Sequence, residues 1–490
     1  MAKPKSSKRK AAASLSKQTK IAKTTQLQTL SPPATDTDAP LEPKHLSSLI
    51  SPEELSITIE TLESLAQYPS LIKSKQCKDL RVATYDFRTA CTTGLNTAAE
   101  GNLTARVSAA LVDGKYLEAR ILLAEMRIRG ETPKIGAICR WVRDLDVVSG
   151  LSGVKGVHGR GVRSEEEREG LRVLDAVLRV AGPVDEASPV AKEGEMISVQ
   201  QTWDLRGSEY TPMPVCAMVA DGSLVGDKEA VKSKYTILET TPGPQRKPPN
   251  HHPAILFTSS PNAVDLAVPG PERTLHHHPI VPNLSLIKNV LSPAECTAII
   301  AAGEATQFIP DTPIRSDGGE ESVLAHNFYW IIDTAFHDKL WERVRSYVPA
   351  SCDGRVARGL NRRFRVYRYV PGAEYRCHID GAWPPSGISP KGEYQYDSSP
   401  PEKRQSSLYT FLIYLNDDFE GGETTYFLPG VKEGTLNAYP LKPVQGAVAV
   451  FPHGERRGAP LHEGTGVRRG AKYVVRTDVE YDVEPTVEEK

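Results

Sequence analysis

Three residues constrain this chain more than anything else in it: His378 and Asp380, two apart, and His462 far downstream. His378 and Asp380 end the segment YRYVPGAEYRCHID, which is rich in Tyr, Val and Arg. On a β-strand, residues two apart leave the same face. His462 opens LHEGTGVRRGAKYVVRTDVEY, another strand-like run. A fold that brings those two strands together gathers two imidazoles and a carboxylate on one side. That set suits non-haem Fe(II), because it occupies one face of an octahedron and leaves three positions open.

An HxD spacing alone occurs by chance in many chains, so its surroundings decide. RFRVYRYV, SSLYTFLIYLN, TTYFL, GAVAVF and KYVVRTDVEY are short strand-like runs bounded by turn residues. NLSLIKNVLSPAECTAIIAAGE reads as a strand followed by a helix. With the YxPG step before the HxD, the LYTFLIYLN strand, the GGET turn and a Lys ten residues after the distal His, residues 282–482 resemble the 2-oxoglutarate/Fe(II) oxygenase superfamily. Within it they resemble the prolyl 4-hydroxylase-like group.

The resemblance implies a double-stranded β-helix (jelly-roll) catalytic domain, with iron on His378, Asp380 and His462. It implies 2-oxoglutarate and O2 as co-substrates and ascorbate as reductant. Lys472 stands where the family places the basic residue that holds the far carboxylate of 2-oxoglutarate, with Arg468 and Arg476 as alternatives. Tyr369 corresponds to a position that donates a phenol to the co-substrate. Tyr414 and Thr410 share a strand face and either line the same pocket or fill the barrel. The implied reaction hydroxylates an unactivated C–H bond and releases succinate and CO2. Its substrate is a prolyl or other protein side chain, or a small molecule. Nucleic-acid N-alkyl demethylases share the YxPG and HxD spacing, but usually end in paired arginines where Lys472 stands. A non-catalytic scaffold is disfavoured, since the three ligands and the anchor are all intact.

The neighbouring residues take plainer readings. His453 ends AVAVFPH and reads as a loop residue competing with His462 for the metal. His251, His252 and His276 to His278 lie among prolines, as in a solvated linker. Cys377 points away from the ligand face as a small buried hydrophobe. Arg362, Arg363, Arg365 and Arg368 alternate faces, so at most two meet an acidic substrate, and a solvated sheet edge competes with that reading. Residues 381–406 form a long polar stretch beside the metal, either a substrate-covering loop or a surface insertion. The GGET glycines read as a structural turn.

The expected architecture is α+β and multidomain. It has a disordered basic tail (1–44), a helical region (45–182), an irregular Pro-rich region and linker (183–280), and the dioxygenase domain (281–484). SPEELSITIETLESLAQ opens with a Ser cap and a Glu three residues on. LTARVSAALVDGKYLEARILLAEMRIRGETPK gives two amphipathic helices around Asp113-Gly114. No clear second copy follows, so a partner-binding or scaffold role is expected rather than a repeat array. Within 183–280, ISVQQTW, YTPMPVCAMVA and KYTILET are strand candidates, and PGPQRKPPNHH reads as linker.

Sixty basic against 61 acidic residues argue against a globally basic nucleic-acid binder. Seven scattered cysteines fit a reducing compartment. The first 25 residues hold eight basic and no acidic residues, and Lys8-Arg9-Lys10 fits a nuclear localisation patch. A mitochondrial presequence and a solvated tail compete with that reading. The apolar runs are too short to span a bilayer and no secretory signal is evident, so an intracellular protein of nucleus or cytoplasm is expected.

Overall fold

The structure, a computed structural model of the chain, describes residues 47, 49–93, 102–152, 163–242, 254–268, 270, 272–310, 325–454 and 456–485. The basic tail, His251, His252 and all of PGPQRKPPNHH beyond its first Pro lie outside these residues. The chain divides into two compact units, 1–69 and 70–490. The first contains helix α1 (Pro52–Ala66), started by a capping box in which Ser51 and Glu54 satisfy each other's backbone N–H.

The second unit holds helices α2 (Lys78–Thr93), α3 (Leu103–Val112), α4 (Tyr116–Arg129), α5 (Ile135–Ser149), α6 (Glu165–Ala181), α7 (Val215–Ala220), α8 (Pro293–Thr306) and α9 (Thr334–Val344). Its main strands are β1 (Ile197–Val199), β2 (Tyr235–Thr240), β3 (Ile255–Ser259), β4 (Thr274–His277), β5 (Ser285–Lys288), β6 (His326–Ile331), β7 (Arg355–Leu360) and β8 (Arg363–Tyr369). They continue with β9 (Tyr375–His378), β10 (Gln405–Tyr414), β11 (Thr424–Pro429), β12 (Leu436–Leu441), β13 (Val448–Pro452), β14 (Leu461–Gly464) and β15 (Lys472–Asp482).

These strands form two principal sheets. The smaller runs β1-β12-β11-β14-β9, and the larger has the path β2-β3-β6-β8-β15-β10-β13-β5-β4, with β7 also paired to β15. Tyr367, Tyr369, Tyr414 and Val474 of the larger sheet meet Tyr426, Tyr439 and Leu441 of the smaller in one apolar cluster between them. Behind the larger sheet, Ile299, Ile300, Phe336 and Leu340 of α8 and α9 pack on Trp330, Phe364 and Phe411.

The helical region does not stand apart. Val107, Leu122, Trp141, Leu145, Leu174 and Val177 of α3 to α6 share one core with Cys377, Ile379, Phe427, Leu436 and Leu461, from the back of the smaller sheet. Each such side chain gains about 1.5–3 kcal/mol on burial, so neither layer is stable bare. Packing is therefore continuous from these helices to the smaller sheet.

The stretch 183–280 is less irregular than expected. β1 joins the smaller sheet in parallel with β12, and β2, β3 and β4 extend the larger one. The last six residues of YTPMPVCAMVA form α7 instead of a strand, with Pro214 at the cap and Val215 turned into the core. His276 and His277 lie on β4, where they bond Thr274 and Ser285, so the linker reading fails there. Among the described residues, no helix is long and apolar enough to cross a membrane.

Candidate metal centre

β9 runs antiparallel to β14, and the register sets His378 directly opposite His462. Their ring centres are 4.3 Å apart. Asp380 follows two residues after His378, and ligand atoms of the three side chains all lie within 4.8 Å of one another. His378 Nε2 is 3.4 Å from Asp380 Oδ1, and His462 Nε2 is 3.6 Å from Oδ2. The other nitrogen of each ring is committed: Nδ1–H of His378 donates to Arg376 O at 2.7 Å, and that of His462 to Pro460 O at 3.2 Å. Those bonds fix the tautomer that leaves both Nε2 lone pairs facing the carboxylate. Burial, reinforced by the neighbouring His378, pulls the His462 imidazole down to about 3, so it stays neutral.

Asp380 is only 3% exposed. Burial alone would push its carboxyl up, but Arg476 and then the two imidazoles hold it well below the ordinary carboxylate range. Thr410 Oγ1 donates to Oδ2 at 2.7 Å. Oδ1 accepts no hydrogen bond, although Arg476 Nη1 lies 2.8 Å away as an ion pair.

The cavity beside these ligands is lined by Tyr367, Tyr369, Thr424, Lys472 and Val474, among others. Lys472 is 4% exposed and has no salt bridge or hydrogen bond among the described residues. Its Nζ lies 5.7 Å from the Tyr369 ring centre and 5.8 Å from that of Tyr414. Burial pulls the amine down to about 8 against the opposing pull of Glu423. Tyr414 does not itself line the cavity; its phenol bonds Thr424, which does. Arg476 is engaged elsewhere, between Asp380 and Asp478, and Arg468 is exposed. The GGET turn is structural: Gly421 has φ +76°, and a Cβ there would meet Gly466 O at 2.3 Å.

Three expectations need correction. His453, read as a loop residue, does follow the end of β13 but has partners the sequence did not indicate. It is fully buried behind the ligand carboxylate, with Nδ1 at 2.7 Å from Thr410 Oγ1 and Nε2 at 2.8 Å from Ser407 Oγ. Because Thr410 gives its proton to Asp380, Nδ1–H must donate to Thr410, and Ser407 must donate to Nε2. Ser407 Oγ in turn accepts from Trp383 N at 2.9 Å. A directional chain thus runs from the loop after Asp380 to Asp380 itself, and sequence gave no sign of it. Second, β8 is not an edge, since β6 and β15 flank it. Arg363 and Arg365 are buried against Trp383, while Arg368 pairs with Glu304. Third, residues 381–406 are no loose insertion: Pro384 O accepts from Asn361, and Gly387–Ile388 pairs with Tyr394–Gln395. Cys377 faces the helices as expected, with Sγ 3.4 Å from Glu463 Oε2.

Residues 364–477 match the family model of the 2OG-Fe(II) oxygenase superfamily. The match assigns that segment, less than half of the chain, to the superfamily. No curated protein matches the oxygenase. Among solved structures it is similar to a viral collagen prolyl hydroxylase from Paramecium Bursaria Chlorella virus-1, at 20% identity over 41% of this chain and 97% of that one, TM-score 0.27. A Pseudomonas putida prolyl-4-hydroxylase matches at 17% identity over 40% and 91% of the two chains, TM-score 0.25. A Trichoplax adhaerens prolyl hydroxylase, in complex with a hypoxia inducible factor peptide fragment, matches at 15% over 40% and 83%, TM-score 0.28. All three are distant.

Fe(II), 2-oxoglutarate and O2 are the cofactor and co-substrates of this superfamily. The residues of the oxygenase fit them. Two imidazole nitrogens and a carboxylate oxygen that accepts no hydrogen bond lie together, which is the donor set of a ferrous site.

Proposed function

We propose that this oxygenase is a hydroxylase acting on an unactivated C–H bond of a protein side chain, with proline the first residue to test. His378, Asp380 and His462 hold the iron, and Lys472 anchors the far carboxylate of 2-oxoglutarate. The two facing sheets are read as a double-stranded β-helix, with 281–484 as the catalytic domain. One observation carries the reading. A buried lysine without an ion pair stands in the cavity that the three converging ligands line.

When bound, iron and 2-oxoglutarate supply the oxidising chemistry, in which O2 and 2-oxoglutarate are consumed and succinate, CO2 and a hydroxylated product form. The chain's own residues bind, orient and exclude water. Lys472 offers a cation in an apolar, aromatic surround, where its attraction for a carboxylate is far less screened than in water. Tyr369 and Tyr414 form the walls around that ammonium, with Tyr369 also placed for a phenol contact to the co-substrate. Thr410 fixes the Asp380 carboxylate so that one oxygen is held and the other is directed to the ligand site. The sequence likeness to the prolyl 4-hydroxylase-like group supports the choice of a protein substrate.

The test is incubation of the full chain with Fe(II), 2-oxoglutarate, ascorbate and a proline-containing peptide pool. Succinate release and a peptide mass gain of one oxygen atom are expected, both abolished in His378→Ala and Asp380→Ala. Full turnover in His462→Ala with loss in His453→Ala would overturn the ligand assignment.

A further inference from the structure

The larger sheet carries a second group of buried charges next to the metal centre. Arg363, Arg365 and Tyr367 share one face of β8 by alternation. Arg365 lies directly opposite Arg476, the residue that holds Asp380. Its side chain therefore enters the space between the sheets, on the side closed by Trp383. Only 3% of Arg365 is exposed. Its guanidinium carbon is 4.5 Å from the Trp383 ring centre, and that of Arg363 is 4.6 Å away. Stacking of this kind occupies a face of the Arg365 guanidinium and does not use its in-plane N–H donors. Among the described residues, the Arg365 side chain has no hydrogen bond and no carboxylate within 4 Å.

Buried cations are ordinarily held by a counter-charge. Here the neighbouring acids are already engaged. Asp380 and Asp478 both serve Arg476, and Glu423 is paired with Lys442. Burial and the adjacent Asp478 push the Glu480 carboxyl well above the ordinary carboxylate range, which disfavours its charged form. With iron and dianionic 2-oxoglutarate bound, Asp380, Asp478 and the co-substrate together still fall short of the positive charge on the ion, Lys472, Arg365 and Arg476. The interior lacks an anion at the Arg365 end.

We propose that Arg365, with Arg363 and Trp383, forms a subsite for a carboxylate carried by the substrate. The inference rests on the hydroxylase reading and names its substrate class: a molecule bearing an acidic group close to the C–H bond that is oxidised. Trp383 fixes the plane of the guanidinium, whose paired N–H groups match the two carboxylate oxygens. The loop 381–406 carries Trp383 and so delivers one wall of the subsite.

The test uses the full chain loaded with Mn(II), a redox-silent substitute for Fe(II), and saturating 2-oxoglutarate. Hexaglutamate peptide probes an acid presented by a polypeptide, and glutarate probes a small acid. Each is compared with its uncharged amide, hexaglutamine or glutaramide, by isothermal titration calorimetry. At least one acid should bind about tenfold or more tightly than its amide, and Arg365→Ala should remove that preference while Arg365→Lys keeps part of it. Whichever acid shows the preference identifies its source. If wild-type protein prefers neither acid, the proposal is overturned without recourse to a variant. A preference that survives in Arg365→Ala overturns it equally. 2-Oxoglutarate binding in Arg365→Ala should stay within about twofold of wild type, far below the loss that breaking a buried ion pair brings. A large loss there would overturn the subsite and also move the co-substrate anchor away from Lys472.

Discussion

Lys472 is the residue whose chemistry burial changes most usefully. Its amine, pulled down to about 8, is an ammonium below that pH and a neutral amine above it. A carboxylate binds the ammonium, so above this point binding must take up a proton. The apparent affinity for 2-oxoglutarate should therefore be flat below about pH 8 and fall by about tenfold per unit above it, read by titrating the Mn(II)-loaded chain. Lys472→Ala should raise the 2-oxoglutarate requirement on the order of a hundredfold or more at neutral pH, with Mn(II) affinity nearly unchanged. Arg476→Ala should behave differently, because it strips the counter-charge from Asp380. Breaking that buried pair should cost the metal-free chain about 3–5 kcal/mol, and thermal unfolding should show part of it restored by Mn(II). The grouping of His378, Asp380 and His462 could be expected from the sequence, and Lys472 proposed beside it, because ligand chemistry demands fixed residue types at fixed spacings. The hydrogen-bond role of His453 could not, and Arg365 stood only as one of four arginines of which at most two could meet an acidic substrate. Their roles come from partners such as Thr410, Ser407 and Trp383, which no local pattern connects to them.

At the scale of elements, β9 depends on what lies behind it. Asp146 of α5 accepts from Arg376 at 2.8 Å and from Ser152 N at 2.9 Å, and Ser152 Oγ accepts from Cys377 N at 2.8 Å. Helix α5 thus grips the strand residues that precede the first ligand. Asp146→Ala leaves the buried Ser152 N–H without a partner, a loss of about 1–3 kcal/mol. The expected result is a lower unfolding midpoint together with weaker Mn(II) binding, whereas Asp144→Ala on the exposed face of α5 should change neither. Thr410→Val tests the buried chain from Trp383 to Asp380. It keeps the shape but leaves the His453 Nδ1–H unanswered, so Mn(II) binding should weaken and Thr410→Ser should recover it. The long strands β8, β10 and β15 were readable from alternation. β1 to β4 were harder, since they are short, part-exposed and surrounded by prolines. YTPMPVCAMVA misled because six apolar or small residues in a row carry no period.

For the molecule as a whole, several helices could be read from the sequence, but α2, α5, α7 and α9 were not, and what the helices cover could not be read at all. Periodicity shows that a helix buries a face without showing against what. Because α3 to α6 share their core with Phe427, Leu436 and Leu461, a fragment starting at residue 183 should expose that apolar surface. It should be recovered aggregated, or without a cooperative unfolding transition, even though it retains every proposed ligand. β9 is also the terminal strand of its sheet, paired to β14 only at Tyr375–Gly464 and His378–His462. Ligation from both strands would fasten the one edge that backbone pairing leaves weakest. Iron supply then becomes a matter of protein lifetime as well as of turnover. In the metal-starved chain the first proteolytic cut should fall near β9, and a divalent ion should close that door before any substrate arrives.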